Sequence, residues 1–216
     1  MRLEDTLNGG YQGVYNEVVV ADCYELKKLN FVPKAIYDFG ANVGVFTRFA
    51  REVFPDATIV AIEPDIENYQ HLIAFTPHEN INFMKAAIGQ GKVYQRLGME
   101  RGCHFSYVNI DKNQEIKDAS YALNEVLTIM PEDVIVDAES IVKIDIEGNE
   151  NIIFKNDKSI EALKNCRYIC MELHIYSPNW TDQDRSLCLQ VLNSFSDTHD
   201  IRITEREFFA IKKHIN

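Results

Sequence analysis

A chain of 216 residues has room for one α/β domain and too little for two. Its 46% hydrophobic and 25% charged residues are ordinary for a globular protein and exclude general disorder. With 33 acidic against 22 basic side chains the formal net charge is −11, which repels phosphate backbones, so no nucleic-acid partner is expected.

The first ten residues, MRLEDTLNGG, lack the apolar core of a signal peptide, and no stretch reaches the roughly 18 apolar residues of a membrane span. The five cysteines (Cys23, Cys103, Cys166, Cys170 and Cys188) are scattered and form no CxxC pair, which suits a reducing, cytoplasmic setting. Residues 1–34 read as an N-terminal extension, with a β-like run at Glu17–Val20 and a short helical one near Tyr24–Leu29. Apolar runs then alternate with helical stretches, as in βαβ units around a parallel sheet. Strands are expected at Ala35–Phe39, Thr58–Ile62, Ile81–Ile88, Ile141–Ile146 and Tyr168–His174, and helices near Val43–Val53, Asp65–Ala74, Asn149–Phe154 and Asp182–Phe195. Two last strands, Ile201–Thr204 and Phe208–Lys212, are joined so briefly that they must be antiparallel. Residues 89–140 form a long insertion, read as a substrate wall or lid of the single domain that covers 1–216.

Chemistry gathers at the strand ends, where open α/β sheets bind ligands. Asp38-Phe39-Gly40-Ala41-Asn42-Val43-Gly44 follows the first strand and opens a helix. Gly40 permits a sharp turn with space for a ligand, and Gly44 permits close helix packing. The G-x-x-x-G spacing is not the dinucleotide G-x-G-x-x-G, and Asp38 would repel a pyrophosphate while welcoming a cation. S-adenosylmethionine, with its ammonium and sulfonium, fits that description. Glu63 ends the second strand, 23 residues beyond Gly40, where an acid can accept both hydroxyls of a ribose. Lys143-Ile144-Asp145-Ile146-Glu147-Gly148-Asn149-Glu150 and Glu172-Leu173-His174 close the fourth and fifth strands. Their carboxylates and imidazole suffice for proton abstraction from a hydroxyl, with Asp145 or His174 as base and Glu147 or Glu172 orienting the imidazole. Asp145 could instead hold the donor's ammonium. Carboxylates at 145, 147 and 172 could also surround a divalent cation, but no compact ligand motif supports one and no metal is assigned.

Taken in order, IYDFGANVGVFT, VAIEPD, KAAIG, VKIDIEGNE and MELH resemble the FkbM-type family of S-adenosylmethionine-dependent methyltransferases. The resemblance covers most of residues 17–175, and KIDIEGNE is its most specific part. It thins where Thr128-Ile129-Met130-Pro131-Glu132-Asp133 replaces the family's Leu-Asp-Asp. It implies a Rossmann-like class I methyltransferase sheet, mostly parallel with a C-terminal antiparallel strand and helices on both faces. It also implies O-methylation of a sugar or another small hydroxylated metabolite. By position, Asp38, Phe39, Gly40, Ala41, Asn42 and Gly44 would hold the methionine part and Glu63 the ribose. Ala86 and Ala87 would lie by the adenine, and Asp145 would face the reacting centre beside Glu147 and His174. An NAD-type dehydrogenase would share the acidic ribose site but lacks its glycine pattern here, and a non-catalytic interaction module could retain the same fold. Aromatic residues Tyr11, Tyr15, Phe105, Tyr107, Tyr176 and Trp180 are candidates for the walls of an acceptor site.

Overall fold

The computed structural model describes residues 11–90, 92–95, 107–110, 124–176, 180–204 and 206–213. Its main sheet consists of β1 (Ala35–Phe39), β2 (Thr58–Ile62), β3 (Ile81–Met84), β4 (Ser140–Ile144), β5 (Tyr168–Glu172), β6 (His199–Ile203) and β7 (Glu207–Lys212). The strand order is β6-β7-β5-β4-β1-β2-β3, with β7 alone antiparallel to its neighbours. This is the mostly parallel, Rossmann-like sheet that the sequence led one to expect, with β4 at its centre and β1 beside it.

Both faces of the sheet are covered because alternate residues of each central strand enter opposite cores. Tyr37, Phe39, Val142, Ile144, Ile169 and Met171 point to one core. That core is closed by three helices, α3 (Glu150–Phe154), α4 (Asp157–Asn165) and α5 (Asp182–Ser194). Ile36, Ile141, Tyr168 and Cys170 point to the other, against α1 (Val45–Val53) and Leu72 of α2 (Ile66–Phe75). Asp38 and Lys143 share this second face and are paired in register across β1 and β4.

The helix starts follow local chemistry. The Asp65 side chain accepts hydrogen bonds from the amides of Glu67 and Asn68, capping α2. Asn156 does the same for α4, a helix the apolar pattern does not reveal. Thr181 and Asp184 form a reciprocal capping box on α5.

Two expected elements differ in kind or pairing. Glu17–Val20 is not extended: Asn16–Val20 forms a π-helical turn that continues Gln12–Tyr15 and buries Val18 in the second core. Tertiary burial of Val18 overrides the β preference of three successive valines. The third strand stops at Met84 because its partner β2 ends at Ile62. Ala87–Ile88 then pairs with Thr128–Ile129 in a separate small sheet. Within the insertion, Lys92–Gln95, Tyr107–Ile110 and Asn124–Val126 make an antiparallel three-stranded sheet. Residues 102–106, including Cys103 and Phe105, lie outside the described residues. No helix of the described residues is long and apolar enough to cross a membrane.

Candidate active site

The carboxyl ends of β1, β2, β4 and β5 surround a cavity of about 430 Å³. Gly40, Ala41 and Asn42 line it, as do Glu63, Ala86, Ala87, Asp145, Glu147 and His174. Val43 of the same turn joins them, as do Pro64 and Asn68, which sequence reasoning did not assign to the site. Phe39 and Asp38 are fully buried behind this wall, and Gly44 packs behind it too.

The turn after β1 is held by the amides of Gly40 and Ala41, both donating to the Ile62 carbonyl at 3.0 and 2.9 Å. Gly40 has φ +82°, and a Cβ there would overlap the main-chain carbonyl of Asp145. The glycine therefore makes the expected sharp turn and also permits the close approach of two backbones, a reason the sequence did not reveal. Gly44, at φ +90°, leaves space for Leu72 and Thr76 and so lets α2 pack against the start of α1.

Glu63 is buried, and its two oxygens accept hydrogen bonds from the amides of Asn42 and Asp65, each at 2.8 Å. Burial raises its pKa to about 7 against the pull of these two amides. It faces the same cavity as the apolar side chains of Ala86, Ala87 and Ile88.

Beneath the turn lies a buried ionic group. Lys143 Nζ donates to the Gly40 carbonyl at 2.6 Å and sits 3.3 Å from Asp38 and 3.7 Å from Asp145. Burial alone would lower the lysine pKa, but Asp38 and Asp145 outweigh it and hold it above its ordinary value. Thr47 Oγ1 donates to the other Asp38 oxygen at 2.5 Å. The cation that Asp38 attracts is thus supplied by the chain itself. A lysine in the apolar run SIVKI was the available sign of this group, since an unpaired lysine is almost never fully buried.

From the N-terminal segment, Tyr24 donates its hydroxyl to Asp145 Oδ2 at 3.2 Å. Burial, and then the charge of Asp145, raises the tyrosine pKa well above its ordinary value. Asp145 Oδ1 is buried and has no hydrogen-bond partner among the described residues. Val14, Glu17 and Val18 complete this wall of the cavity. Beyond Tyr24 and Glu172, a second cavity of about 440 Å³ extends past Met171 and Phe209 toward Arg206.

His174 is ringed by carboxylates. Its Nε2 lies 3.4 Å from Glu147, 3.8 Å from Glu172 and 4.0 Å from Asp145, while Nδ1 lies 2.9 Å from Glu150. Burial lowers the imidazole pKa, but the hydrogen bond to Glu150 and the charges of Glu150, Asp145 and Glu147 raise it to about 9. The group is therefore an imidazolium at neutral pH, not a side chain near its reference of about 6.5. Asp145, Glu147 and His174 offer three donor atoms within 4.8 Å of one another, a spacing that carboxylates around a protonated imidazole also produce. Glu172 is raised by burial and by Asp145, against the pull of His174 and of Arg206 at 2.9 Å.

Among the candidate aromatics, Trp180 belongs to the core and donates to the Gly148 carbonyl at 2.8 Å, so it braces the Glu147 loop rather than facing the cavity. Tyr176 is 77% exposed, and Tyr11 and Tyr15 pack on the second core. The side chains of Phe105 and Tyr107 lie outside the described residues. Burial raises the thiols of Cys23, Cys166, Cys170 and Cys188, to about 12 for Cys23 and Cys188 and about 11 for Cys166, so none is poised as a nucleophile.

Residues 38–208 match the family model described as the Methyltransferase FkbM domain. Among curated proteins, Methyltransferase sdnD of Sordaria araneosa is 38% identical over 53 residues, covering 24% of this chain and 20% of that protein. The match thus spans about a fifth of the curated relative's length. Similar solved structures include precorrin-6y C5,15-methyltransferase from Geobacter metallireducens GS-15, at 11% identity and TM-score 0.46, covering 88% of this chain and 87% of that one. Human N-acetylserotonin methyltransferase in complex with SAM is 12% identical with TM-score 0.45, covering 98% of this chain and 56% of that one. Magnesium protoporphyrin IX methyltransferase from Synechocystis PCC 6803 with bound SAM is 12% identical with TM-score 0.46, covering 93% and 80%.

Proposed function

Because the chain belongs to the FkbM methyltransferase family, we propose that it transfers a methyl group from S-adenosylmethionine to a hydroxyl of a sugar or another small hydroxylated metabolite. The observation that carries this reading is that one cavity is lined by the Gly40–Asn42 turn and Glu63 together with Asp145 and His174. The donor set fits the cofactor. Glu63 is a carboxylate suited to a ribose diol, Ala86, Ala87 and Ile88 offer an apolar face to an adenine, and the Asp145 oxygen that lacks a hydrogen-bond partner among the described residues suits a cation. When bound, S-adenosylmethionine supplies a methyl group already activated on a sulfonium. The chain's own work is then to align the acceptor and remove its proton.

His174 takes that proton on Nε2, once the imidazolium present at neutral pH has given up its own. Asp145 is assigned to the donor's ammonium, since Tyr24 and Lys143 already fix its other oxygen. Glu147 and Glu172 hydrogen-bond the acceptor or steady the ring. Neighbouring Arg206 and the second cavity support an acceptor compartment beyond Tyr24.

The test is calorimetry with S-adenosylmethionine and NAD, followed by turnover to S-adenosylhomocysteine with a panel of sugars. Binding of the first and not the second is expected; NAD binding alone would replace this reading with the dehydrogenase, and cofactor binding without turnover on any acceptor would favour the interaction module. Folded Glu63→Ala protein should bind S-adenosylmethionine about 1.5–3 kcal/mol more weakly, roughly 10–150-fold. Because Glu63 takes up a proton near pH 7, affinity should also fall as pH drops below that value, and this fall should vanish in the variant. Unchanged affinity in Glu63→Ala would remove the ribose assignment.

Residues 89–140 are assigned to the acceptor wall, on the strength of their length and of the small sheet that ties Thr128–Ile129 to Ala87–Ile88 at the cavity. Hydrogen exchange across this segment should slow when cofactor and acceptor are both present. Protection confined to residues 38–65 would take the insertion out of the account.

A further inference from the structure

We infer that Glu150 is a positioning residue for His174, fixing the imidazole so that its proton sits on Nδ1 and its lone pair on Nε2 faces the cavity. This inference rests on His174 as the base in the reading above. Glu150 opens α3 and is fully buried, whereas the three other acids around His174 keep between 23% and 30% of their side chains exposed. A buried carboxylate is costly, and one of its oxygens, Oε2, has no hydrogen-bond partner among the described residues. Its other oxygen accepts from His174 Nδ1 at 2.9 Å and, at longer range, from the amides of Gly148 at 3.3 Å and Ile146 at 3.4 Å. A carboxylate accepts only, so the nitrogen facing it must carry a hydrogen.

The consequence reaches the other side of the ring. Neutral imidazole has one N–H and one lone pair, and placing the hydrogen on Nδ1 leaves Nε2 as the acceptor. Nε2 is the atom that points among Asp145, Glu147 and Glu172, on the cavity side. The charged groups facing this dyad come from four elements: Asp145 and Glu147 from the loop after β4, Glu172 at the end of β5 two residues before His174, Arg206 through Glu172 from the β6–β7 turn, and Lys143 through Asp145 from β4. On the buried side, the thiol of Cys188 on α5 is raised by burial and by Glu150. The Glu150 carboxylate also stabilises the imidazolium that forms when the acceptor's proton arrives, as the buried acid of a Ser-His-Asp triad does.

The inference is tested first in the unaltered protein, by nitrogen-15 spectroscopy of the His174 ring above pH 9.5. The neutral ring should carry its proton on Nδ1, the less common form of free histidine, and a proton on Nε2 would overturn the inference. Glu150→Gln keeps the oxygen that accepts from Nδ1 and removes the charge. It should bind S-adenosylmethionine within about twofold of the parent and lose about 10–100-fold in kcat, part of the 10²–10⁴-fold that a general base contributes. Its His174 titration should move down toward about 6.5. Glu150→Asp, which retains the charge, should titrate closer to the parent and recover part of kcat. A purely structural role would lower the melting temperature and cofactor affinity while leaving the ring's proton and titration unchanged, and that result would overturn the inference. If His174→Gln keeps full turnover while Glu150→Gln still shifts the ring, the base reading fails and the positioning by Glu150 stands.

Discussion

Lys143→Met is expected to lose about 3–5 kcal/mol of folding stability, because it leaves the charge of Asp38 buried without its partner. Asp38 is fully buried, and its remaining side-chain partner would be the Thr47 hydroxyl. Urea unfolding of Lys143→Met, Asp38→Asn and the double variant gives the decisive comparison. The double variant should lose less than the sum of the two single losses, with a coupling above about 1 kcal/mol. Additive losses would mean that the two charges do not stabilise each other. The lysine's folded pKa is raised, so its contribution is complete below its unfolded value of about 10.4 and is lost only above it. Between pH 6 and 9 the deficit of Lys143→Met should therefore stay constant. The variant should also bind cofactor less tightly, since the Gly40 carbonyl loses its ammonium donor.

The second large effect belongs to His174. Folded His174→Ala protein should lose about 10²–10⁴-fold in turnover while retaining cofactor affinity. In the parent, kcat/KM for the cofactor reports the free enzyme and should rise with pH through about 9. The kcat limb should lie lower, because a cofactor cation in the same cavity opposes the imidazolium. Stability carries the opposite sign. The folded pKa is raised, so the contribution is present below the unfolded value of about 6.5 and fades as pH climbs through about 9. Thermal melts should show that decline in the parent and not in His174→Ala. Asp145→Asn should weaken cofactor binding as well as turnover, and EDTA should leave the parent's rate unchanged. Full turnover in His174→Ala would end the base assignment, and activity lost to EDTA and restored by Mg²⁺ would require a metal in the mechanism.

The central strands were legible because burial on both faces writes continuous apolar runs, and β1 and β2 begin and end where the runs Ala35–Phe39 and Thr58–Ile62 do. The glycine turn and the acids after β2 and β4 were legible for a related reason, since a turn and a charge interrupting such runs stand out. Helix α4 was not, because only Ile160 and Leu163 of its nine residues mark its inward side, and its start depends on one capping Asn156. Glu17–Val20 misled because local propensity cannot see the core that Val18 enters. Within the site, Lys143 and Glu150 sat in a motif already noticed, yet their roles depend on partners 105 residues before one and 24 after the other. Spacing along a chain carries no trace of such pairs until the register across β1 and β4, and the approach of α3 to the end of β5, bring them together.

The contact between Gly40 and the Asp145 carbonyl leaves no slack between the loops after β1 and β4. The Asp145 amide donates to the Phe39 carbonyl at 3.0 Å, and Lys143 is tied to Gly40 from below, so three connections join the ends of β1 and β4 and the loops that leave them. The main-chain spacing between the Gly40–Asn42 turn and Asp145 is thus set by the sheet and the loops that leave it, not by the N-terminal wall. Side chains at the rim, such as Val14 and Glu17, can therefore vary without altering how the Gly40–Asn42 turn meets Asp145.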